Sequence, residues 1–554
     1  MCHRAAGRSK KVVETLAVFP ISDRYMPNRR RGTARKLAAT ALPLVVLATP
    51  SFWLMLAVPP LWRDVDAYNQ TVLPPGMVTI LAHGPLYCTL SRIPLWFGYL
   101  SSGAGPAVSL GHFIQHSQLT DAGVFALLFL QHAALWCAAL YLICAVARTL
   151  PVRLSLALLF ASHPLFYTFA HCVGSETLSM ILTLLVAGSG VRMMLRYPEI
   201  TARDWVIFTA LLSCCVLTRQ INSVLAAVLP ITIIALMLER RLRAFASHGK
   251  AIPVVNLNFS KAGQVWLVSL TTGLIGLLCA TSLTHLLCWR THTPWRSTFG
   301  YTFLWRLNFL ETMQPSPRQT LLASIASKCK LSESRQLLGV LDTWIDRNGR
   351  WDPPTFIREA RPHLASSEMK FHSETFDRVL NEIARAFLCP PPAPLRSIAL
   401  ADFSKATKSD ENGIVLYLFV TTDYFFLHPD KMPQCLRLKT FRQPRERLIE
   451  ARKLSYFRWW NFLSFRALSV VGLVVFVWAL VADYKHGGRN TPVILFAACL
   501  CTVGMAMVLL NCFLAELQPR FILPMMELLL VSIMILLGLI FTGCKSSEGE
   551  LRRT

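Results

Sequence analysis

Long apolar runs, separated by short polar segments, recur along most of the chain. About 20 helical residues are needed to cross roughly 30 Å of hydrocarbon, and the runs reach this length. With a window of about 19 residues, the pattern predicts about ten membrane-spanning helices. The two short runs on either side of Arg219 are also compatible with one re-entrant hairpin, so the expected number is roughly nine to twelve. The predicted spans lie near 37–58, 122–147, 152–170, 175–195, 203–218, 221–238, 263–288, 465–484, 491–513 and 521–543.

These spans divide the chain into membrane modules and a long segment between them. That segment is too long for a linker, and its stretches "SRQLLGVLDTWI" and "FDRVLNEIARAFL" have the apolar spacing of helices. We therefore expect an all-α polytopic membrane protein with a large, mainly helical insert. The predicted parts are a basic cytoplasmic tail 1–36, an N-terminal membrane module 37–288 with a first outer loop 59–121, an insert 289–464, C-terminal transmembrane helices 465–543, and a cytoplasmic tail 544–554.

The composition agrees with a membrane protein. The chain is 53% hydrophobic and only 16% charged, whereas soluble domains contain about 25% charged residues. The 16 cysteines lie mostly inside apolar runs, without the spacing of zinc ligands or of a disulfide framework. The first apolar run is longer than the core of a cleaved signal peptide, so we interpret it as a retained span.

The net charge of +25 is distributed in the way that membrane insertion requires. Lys and Arg cluster in the N-terminal tail and in alternate short loops, as the positive-inside rule predicts for a cytoplasmic N-terminus. No basic stripe interleaved with aromatic residues is present, so we expect no nucleic-acid partner. The resulting topology places the loop 59–121, the turn 171–175, Arg219, the "ELQPRF" stretch and the insert on the non-cytoplasmic side.

Acidic residues follow the first span directly. Polar groups at the membrane edge are costly, so those that are present need an explanation. Asp64 and Asp66 are candidates for a base that takes a proton from an acceptor hydroxyl or amine. The alternative is a solvated loop. The "DxDxxN" pattern is then a chance similarity to a calcium loop, because it lacks the glycine and the distal glutamate of such a site.

Histidines and a glutamate lie on the same predicted face. His83 stands in "HGPLYC", where Gly and Pro predict a turn that aims the imidazole inward, although a lone histidine is more often a hydrogen-bonded structural group. His163, His171 and Glu176 lie in "HPLFYTFAHCVGSETLSM". Ser175 is a candidate N-cap, and a glutamate in the first turn of a helix suits the helix dipole, so Glu176 has a structural explanation as good as the functional one.

Two arginines lie at outer ends of predicted spans. Arg219 and Arg520 carry guanidinium groups that are always ionised and that suit a bidentate phosphate contact. Snorkelling to lipid headgroups is the alternative. It does not explain why both arginines lie on the face whose short loops otherwise have few basic residues, so we favour phosphate binding.

Together these residues predict one outward-facing cavity with acids, histidines and arginines. A polyprenyl phosphate or diphosphate that carries a sugar fits this set, because the arginines can hold the phosphate leaving group and offset its developing charge. The acid would activate the acceptor. Nucleotide sugars are absent outside the cytoplasm, so the donor must be carried by a lipid.

The order of these motifs resembles the integral-membrane GT-C glycosyltransferases, in particular the protein O-mannosyltransferase and lipid A aminoarabinose transferase group. The resemblance covers roughly the membrane half of the chain, 37–240 and 490–545. The matching stretches are "DVDAY" with Asp64 four residues before Tyr68, "HGPLYC" with His83 and Tyr87, Ser175-Glu176-x-Leu178, Thr218-Arg219 before an apolar stretch ending at Pro230, and "PRFILPMMEL" from Pro519 to Leu528.

The resemblance implies a GT-C-like fold and an inverting sugar transfer from a polyprenyl-phosphate donor. It makes the acid of the first loop the catalytic base and the later arginines phosphate ligands. His83, Tyr87, His163, His171 and Glu176 become candidate substrate-binding residues. No cofactor is expected, although a divalent metal remains open.

Two departures from the family pattern limit what it implies. Asp-Val-Asp replaces the adjacent acid pair of the family, and Asp64 ranks above Asp66 because it keeps the spacing to Tyr68. The insert has no counterpart in the family, so the acceptor can be a glycan, a lipid or a protein.

Two other classes compete with this interpretation. An O-antigen polymerase or ligase also has about ten spans, but its catalytic groups would lie in the large loop. A transporter or channel would place charged or broken positions at span centres, and the predicted centres are almost wholly apolar. The N-glycosylation pattern Asn69-Gln70-Thr71 beside the acids favours a bacterial inner membrane, with the active site facing the periplasm.

Overall fold

The computed structural model describes residues 29–76, 80–81, 84–246, 259–360, 373–439, 445–458, 464–485 and 487–551. His83 lies outside these residues, as does most of the predicted basic tail 1–36.

The N-terminal module consists of helices of very different lengths. Two of its apolar helices, α6 and α10, begin at side-chain caps: the Thr120 hydroxyl, for example, accepts a hydrogen bond from the Gly123 backbone N–H (3.0 Å) where the 26-residue α6 begins. A 3₁₀ segment, Gln220–Ala227, lies between α10 and α11. The helices are α1 (Arg29–Ala57), α2 (Val65–Val72), α3 (Pro85–Leu90), α4 (Arg92–Ser102), α5 (Leu110–Gln115), α6 (Asp121–Val146), α7 (Leu150–Ser162), α8 (Pro164–Ala170), α9 (Ser175–Leu195), α10 (Ala202–Thr218), α11 (Val228–Ala246) and α12 (Phe259–Arg290).

One pair of short parallel strands connects two distant segments of this module. β1 (Leu61–Trp62) follows α1, and β2 (Cys172–Val173) precedes α9. The backbone N–H of Leu61 donates to the His171 carbonyl (3.2 Å), and that of Arg63 donates to the Val173 carbonyl (3.4 Å). The pair therefore joins the loop that follows α1 to the start of α9, across more than 100 residues of sequence.

The insert is helical, as predicted. It contains α13 (Phe299–Leu304), α14 (Pro315–Lys328), α15 (Ser332–Asn348), α16 (Pro353–Ala360), α17 (Glu374–Leu388), α18 (Ala393–Ala406), α19 (Glu411–Leu427) and α20 (Arg445–Arg452), with 3₁₀ segments at Trp305–Thr312, Pro429–Lys431, Cys435–Arg437 and Ser455–Arg458. The first part, from Phe303 to Leu395, has a hydrophobic core of its own. Ala399 and Ala406 of α18, together with residues of α19 and α20, belong instead to the main core of the membrane module.

The C-terminal module is formed by α21 (Phe465–Lys485), α22 (Thr491–Leu514) and α23 (Pro519–Leu551). In the most apolar stretch of α23, 89% of the residues are buried, whereas in that of α21 only 28% are buried. The helix that carries Arg520 at its start is therefore central, and α21 faces lipid.

The predicted all-α polytopic membrane fold is confirmed. Eight described helices are long and apolar enough to cross a membrane. A ninth span forms if α7 and α8, which meet at a bend of 66°, are counted together, and Pro164 at the start of α8 explains the break. The remaining predicted span, 203–218, corresponds to α10, which has 17 residues and is not among these eight or nine.

Close packing inside the insert gives a first prediction. A Cβ atom on Gly300 would overlap the backbone of Leu380 and Asn381, because α13 lies directly against α17. Gly300→Ala should therefore lower the stability by about 1–3 kcal/mol, measured by thermal unfolding in detergent. Gly339→Ala in α15 is the matched control: a Cβ there meets nothing within 4 Å, so it should stabilise the helix by about 0.5–1 kcal/mol. Equal effects of the two substitutions would contradict this packing.

A buried carboxyl in α17 predicts a pH dependence. Asp377 is 4% exposed, and its nearest cation is Arg296 at 3.7 Å. Burial raises the pKa of Asp377 to about 6 despite this guanidinium. The folded protein thus binds the proton more tightly than the unfolded chain, so stability should fall as pH rises from about 4, the pKa of an unfolded aspartate, to 6. Asp377→Asn should stabilise the protein by roughly 1–3 kcal/mol at pH 7.5 and by much less at pH 4. A gain that is larger at pH 4 would contradict the assignment.

Candidate active site

A fully buried arginine lies at the centre of the charged groups. Arg63 follows β1 directly, and its Nη1 donates to both carboxylate oxygens of Glu176, at 2.7 and 2.9 Å. Its Nε and Nη2 donate to Oδ1 of Asp64, at 3.0 and 2.8 Å. One guanidinium therefore bridges two carboxylates that are 112 residues apart in the chain. The β1–β2 pair makes this contact possible, because it lies between the two segments.

Asp64 has both of its carboxylate oxygens engaged. Oδ1 also accepts from the backbone N–H of Ala67 (2.8 Å), so Asp64 is the N-cap of α2. Oδ2 forms an ion pair with Nη1 of Arg520, at the start of α23. Burial alone would raise the pKa of Asp64, but the guanidinium groups of Arg63 and Arg520 reverse this effect and hold the pKa well below its ordinary value.

Glu176 also forms an ion pair with a second arginine. Oε1 lies 3.2 Å from Nη1 of Arg219, the residue that follows α10. The predicted N-cap at Ser175 is wrong: α9 begins at Ser175 and its cap residue is Gly174. The reason is that the Ser175 hydroxyl faces Arg63 Nη1 (3.4 Å) rather than the first free N–H groups of the helix.

Four of the residues selected from the sequence thus lie in one network: Asp64, Glu176, Arg219 and Arg520. Asp66 lies two residues beyond Asp64, in the first turn of α2, and is half-buried.

The other selected residues lie around this network. Tyr87 is buried, accepts from the Gly174 N–H (2.9 Å) and donates to Gln131 (3.3 Å), so it braces the turn before Glu176. The Nε2 atom of His171 forms a hydrogen bond with the Val58 carbonyl (3.0 Å). Burial lowers the pKa of this imidazole to about 4. His163 is buried at the bend between α7 and α8, at the opposite end of α8 from His171.

Two functional candidates escaped the sequence analysis. Arg63 stands directly before "DVD", and a basic residue in a predicted outer loop beside two acids was the signal that could have identified it.

Glu527 lies inside α23, 3% exposed, and its Oε1 has no hydrogen-bond partner among the described residues. It lines a small cavity with Arg219, Asn222 and Ser179. An intramembrane carboxyl of this kind is an expected feature of a functional site.

The charges of the network favour an anionic ligand. Arg63, Arg219 and Arg520 contribute three positive charges, which are paired with Asp64 and Glu176 and lie near the carboxylate of Asp66. The side chains of Arg219 and Arg520 are 16% and 13% exposed, whereas that of Arg63 is 2% exposed. The two more exposed arginines can therefore contact a ligand, while Arg63 holds the carboxylates in place.

The described residues contain no group of three or more His, Cys, Asp or Glu side chains arranged to hold a metal ion.

No known family model and no curated protein sequence matches the chain. Among solved structures, the chain is similar to the oligosaccharyltransferase AglB of Archaeoglobus fulgidus in complex with an inhibitory peptide and a dolichol-phosphate, with a TM-score of 0.40 and 12% identity over 94% of this chain and 52% of that one. It is also similar to the oligosaccharyltransferase of the same organism in the apo form, with a TM-score of 0.31 and 14% identity over 86% and 56% of the two chains. The chain thus spans about half the length of these proteins. At this identity neither structure assigns an activity to the chain.

The bridging role of Arg63 predicts a large loss of stability when it is removed. Arg63→Met leaves the buried Asp64 and Glu176 with one partly exposed cation each, Arg520 and Arg219, so stability should fall by about 3–5 kcal/mol. The double variant Arg63→Met/Glu176→Met should recover little of this loss, because removal of Glu176 leaves Arg219 without its carboxylate. Denaturant or thermal unfolding of the purified protein measures both effects. A single variant as stable as the wild type would contradict the bridge.

Proposed function

We propose that the protein is a membrane glycosyltransferase that moves a sugar from a polyprenyl-phosphate donor to an acceptor on the non-cytoplasmic face. The observation that carries this proposal is the ion pair between Arg520 and Asp64, which lies at the same end of the bundle as Arg219. A candidate phosphate-binding cation and a candidate base are thus in direct contact.

The phosphate of the donor would contact Arg219 and Arg520. These are the partly exposed guanidinium groups of the network, and both follow or begin helices whose apolar bodies extend into the membrane. A donor with a polyprenyl tail satisfies both conditions, because its tail can remain in lipid while its phosphate meets the arginines. Their charge would also offset the negative charge that grows on the phosphate oxygen as the sugar leaves.

Donor binding would release the base. In the free protein, Arg520 occupies Oδ2 of Asp64, and an aspartate paired with two guanidinium groups is a weak base. When Arg520 turns to the phosphate, Oδ2 becomes available and the carboxylate becomes more basic. Asp64 remains the first candidate for the base, and Asp66 is the second because it lies on the same turn.

The reaction then balances as a single displacement. Asp64 takes the proton from the acceptor hydroxyl or amine, and the acceptor oxygen or nitrogen forms a bond to the anomeric carbon. The bond from that carbon to the phosphate oxygen breaks, and its electron pair stays on the lipid phosphate. Attack opposite the leaving phosphate inverts the anomeric centre.

The location follows from charge. The positive-inside distribution of Lys and Arg favours a cytoplasmic N-terminus, which puts the network on the outer face. There a nucleotide sugar is absent, so a lipid must bring the donor. We propose the inner membrane of a bacterium with the site facing the periplasm, the membrane and a lipid-linked sugar as partners, and a glycan, lipid or protein as acceptor.

Replacing the base and the phosphate ligand tests the proposal. Asp64→Asn keeps a side chain that caps α2 but removes the base, so we expect turnover to fall about 10²–10⁴-fold. Arg520→Ala should reduce turnover about 10²–10³-fold by removing a phosphate ligand. The purified protein is incubated with polyprenyl-phosphate sugars and candidate acceptors, and release of free lipid phosphate is followed.

Asp204→Asn is the matched control for this experiment. Asp204 is a carboxylate in the first turn of α10, at the opposite end of that helix from Arg219. Its replacement should leave turnover unchanged. Normal turnover in both Asp64→Asn and Arg520→Ala would overturn the proposal and favour catalytic groups in the insert, as in a polymerase or ligase. A large loss with Asp66→Asn and a small one with Asp64→Asn would move the base to Asp66.

A further inference from the structure

A helix of the insert forms one wall of the charged network. α19 packs against β1, α8 and α23, three elements that surround Arg63, Asp64 and Arg520. It lies in the part of the chain that the family resemblance does not cover. Two side chains of this helix, Thr422 and Tyr417, approach the network in different ways.

Thr422 holds the strand from which Arg63 and Asp64 extend. Its side chain is fully buried, and its Oγ1 accepts a hydrogen bond from the backbone N–H of Trp62 (2.9 Å). The N–H groups of Leu61 and Arg63 point the other way, to the carbonyls before α9. Thr422 therefore satisfies the free edge of β1 and fixes the strand from the side opposite to β2.

Tyr417 lies on the same helix, five residues before Thr422, and its side chain is half-buried. Because α19 packs against both β1 and α23, Tyr417 lies within electrostatic range of Arg520, Asp64, Arg63 and Glu176. Its hydroxyl forms no hydrogen bond with another residue in the described part of the chain. Burial raises the pKa of Tyr417, so the phenol keeps its proton and acts as a hydrogen-bond donor.

This donor differs from the arginines in its availability. Arg219 and Arg520 are already bound to Glu176 and Asp64, and each must weaken an ion pair to engage a ligand. The Tyr417 hydroxyl gives up no protein contact when it binds. A neutral donor next to two cations is a suitable partner for a phosphate oxygen, since it adds a directional bond without adding charge.

We propose that α19 completes the site: Tyr417 donates a hydrogen bond to a phosphate oxygen of the lipid-carried donor, and Thr422 is a positioning residue for Asp64. The proposal rests on the proposed function for the identity of the ligand. It assigns to the insert a direct part in binding the donor.

Tyr417→Phe tests the donor contact, with Tyr424→Phe as its control. Tyr424 lies on the same face of α19, two turns further along, where its ring packs on His428 at 4.4 Å. Stabilisation by polyprenyl phosphate, measured as a shift in unfolding temperature over a range of lipid concentrations, gives the affinity of each variant. Without lipid, Tyr417→Phe should unfold at the wild-type temperature, because the lost hydroxyl had no partner. With lipid, its affinity should fall about 10–100-fold, and that of Tyr424→Phe should stay at the wild-type value.

The outcomes separate this inference from the proposed function. Equal affinities of Tyr417→Phe and Tyr424→Phe would overturn the assignment of Tyr417. A wild-type protein that binds lipid phosphate through Tyr417 but releases none from any lipid-linked sugar would overturn the proposed function and leave the binding assignment standing. A wild-type protein that polyprenyl phosphate does not stabilise would overturn both.

Thr422→Val tests the positioning role, with Thr421→Val as its control. Among the described residues, the Thr421 hydroxyl donates only to the Tyr417 carbonyl of its own helix (2.8 Å). Thr422→Val should lower kcat about tenfold or more with little change in lipid-phosphate affinity, because Asp64 and not the phosphate ligands is displaced. Thr422→Ser keeps the hydroxyl and should restore kcat. A loss of kcat that serine does not restore, or an equal loss with Thr421→Val, would overturn the role of Thr422.

Discussion

The buried guanidinium of Arg63 is the contact on which the rest of the site depends. A carboxylate cannot remain ionised in a low-dielectric interior without a partner, and here one cation serves two of them, Asp64 and Glu176. Because these carboxylates come from the loop that follows α1 and from the start of α9, the same contact also fixes the relative position of the two segments. The short β1–β2 pair supplies the backbone half of this connection.

Arg63 also sets the orientation of the outer arginines. With Glu176 held by two short hydrogen bonds, Arg219 approaches it at 3.2 Å, and Arg520 reaches the remaining oxygen of Asp64. The two outer cations are thus oriented by anions that a third, buried cation keeps in place. A ligand with a negative charge can replace those anions one at a time without exposing an unpaired charge.

Hydropathy was enough to predict the membrane fold, because apolar runs of sufficient length have few alternatives to a spanning helix. The convergence of Asp64, Glu176, Arg219 and Arg520 could be anticipated from the side of the membrane predicted for each. Arg63 could have been selected as a basic residue beside two acids, but its bridge to Glu176 could not be predicted, since a strand pair of only two residues leaves almost no pattern in the sequence. Ser175 shows a similar limit: its type suits an N-cap, but a tertiary contact with Arg63 determines where its hydroxyl points. The division of the insert between two cores depends on long-range packing of α18 to α20, which periodicity does not encode.

The central position of α23 has a consequence for biogenesis. Arg63, Asp64 and Glu176 lie in the first third of the chain, whereas Arg520 is carried by a helix that follows the whole insert. During synthesis the carboxylates and their buried cation can assemble early, but Arg520 is missing until α23 has entered the bundle. A partly synthesised chain in the membrane would therefore contain the candidate base without the complete proposed donor site, and under the proposed function it could not consume its substrate before folding is finished.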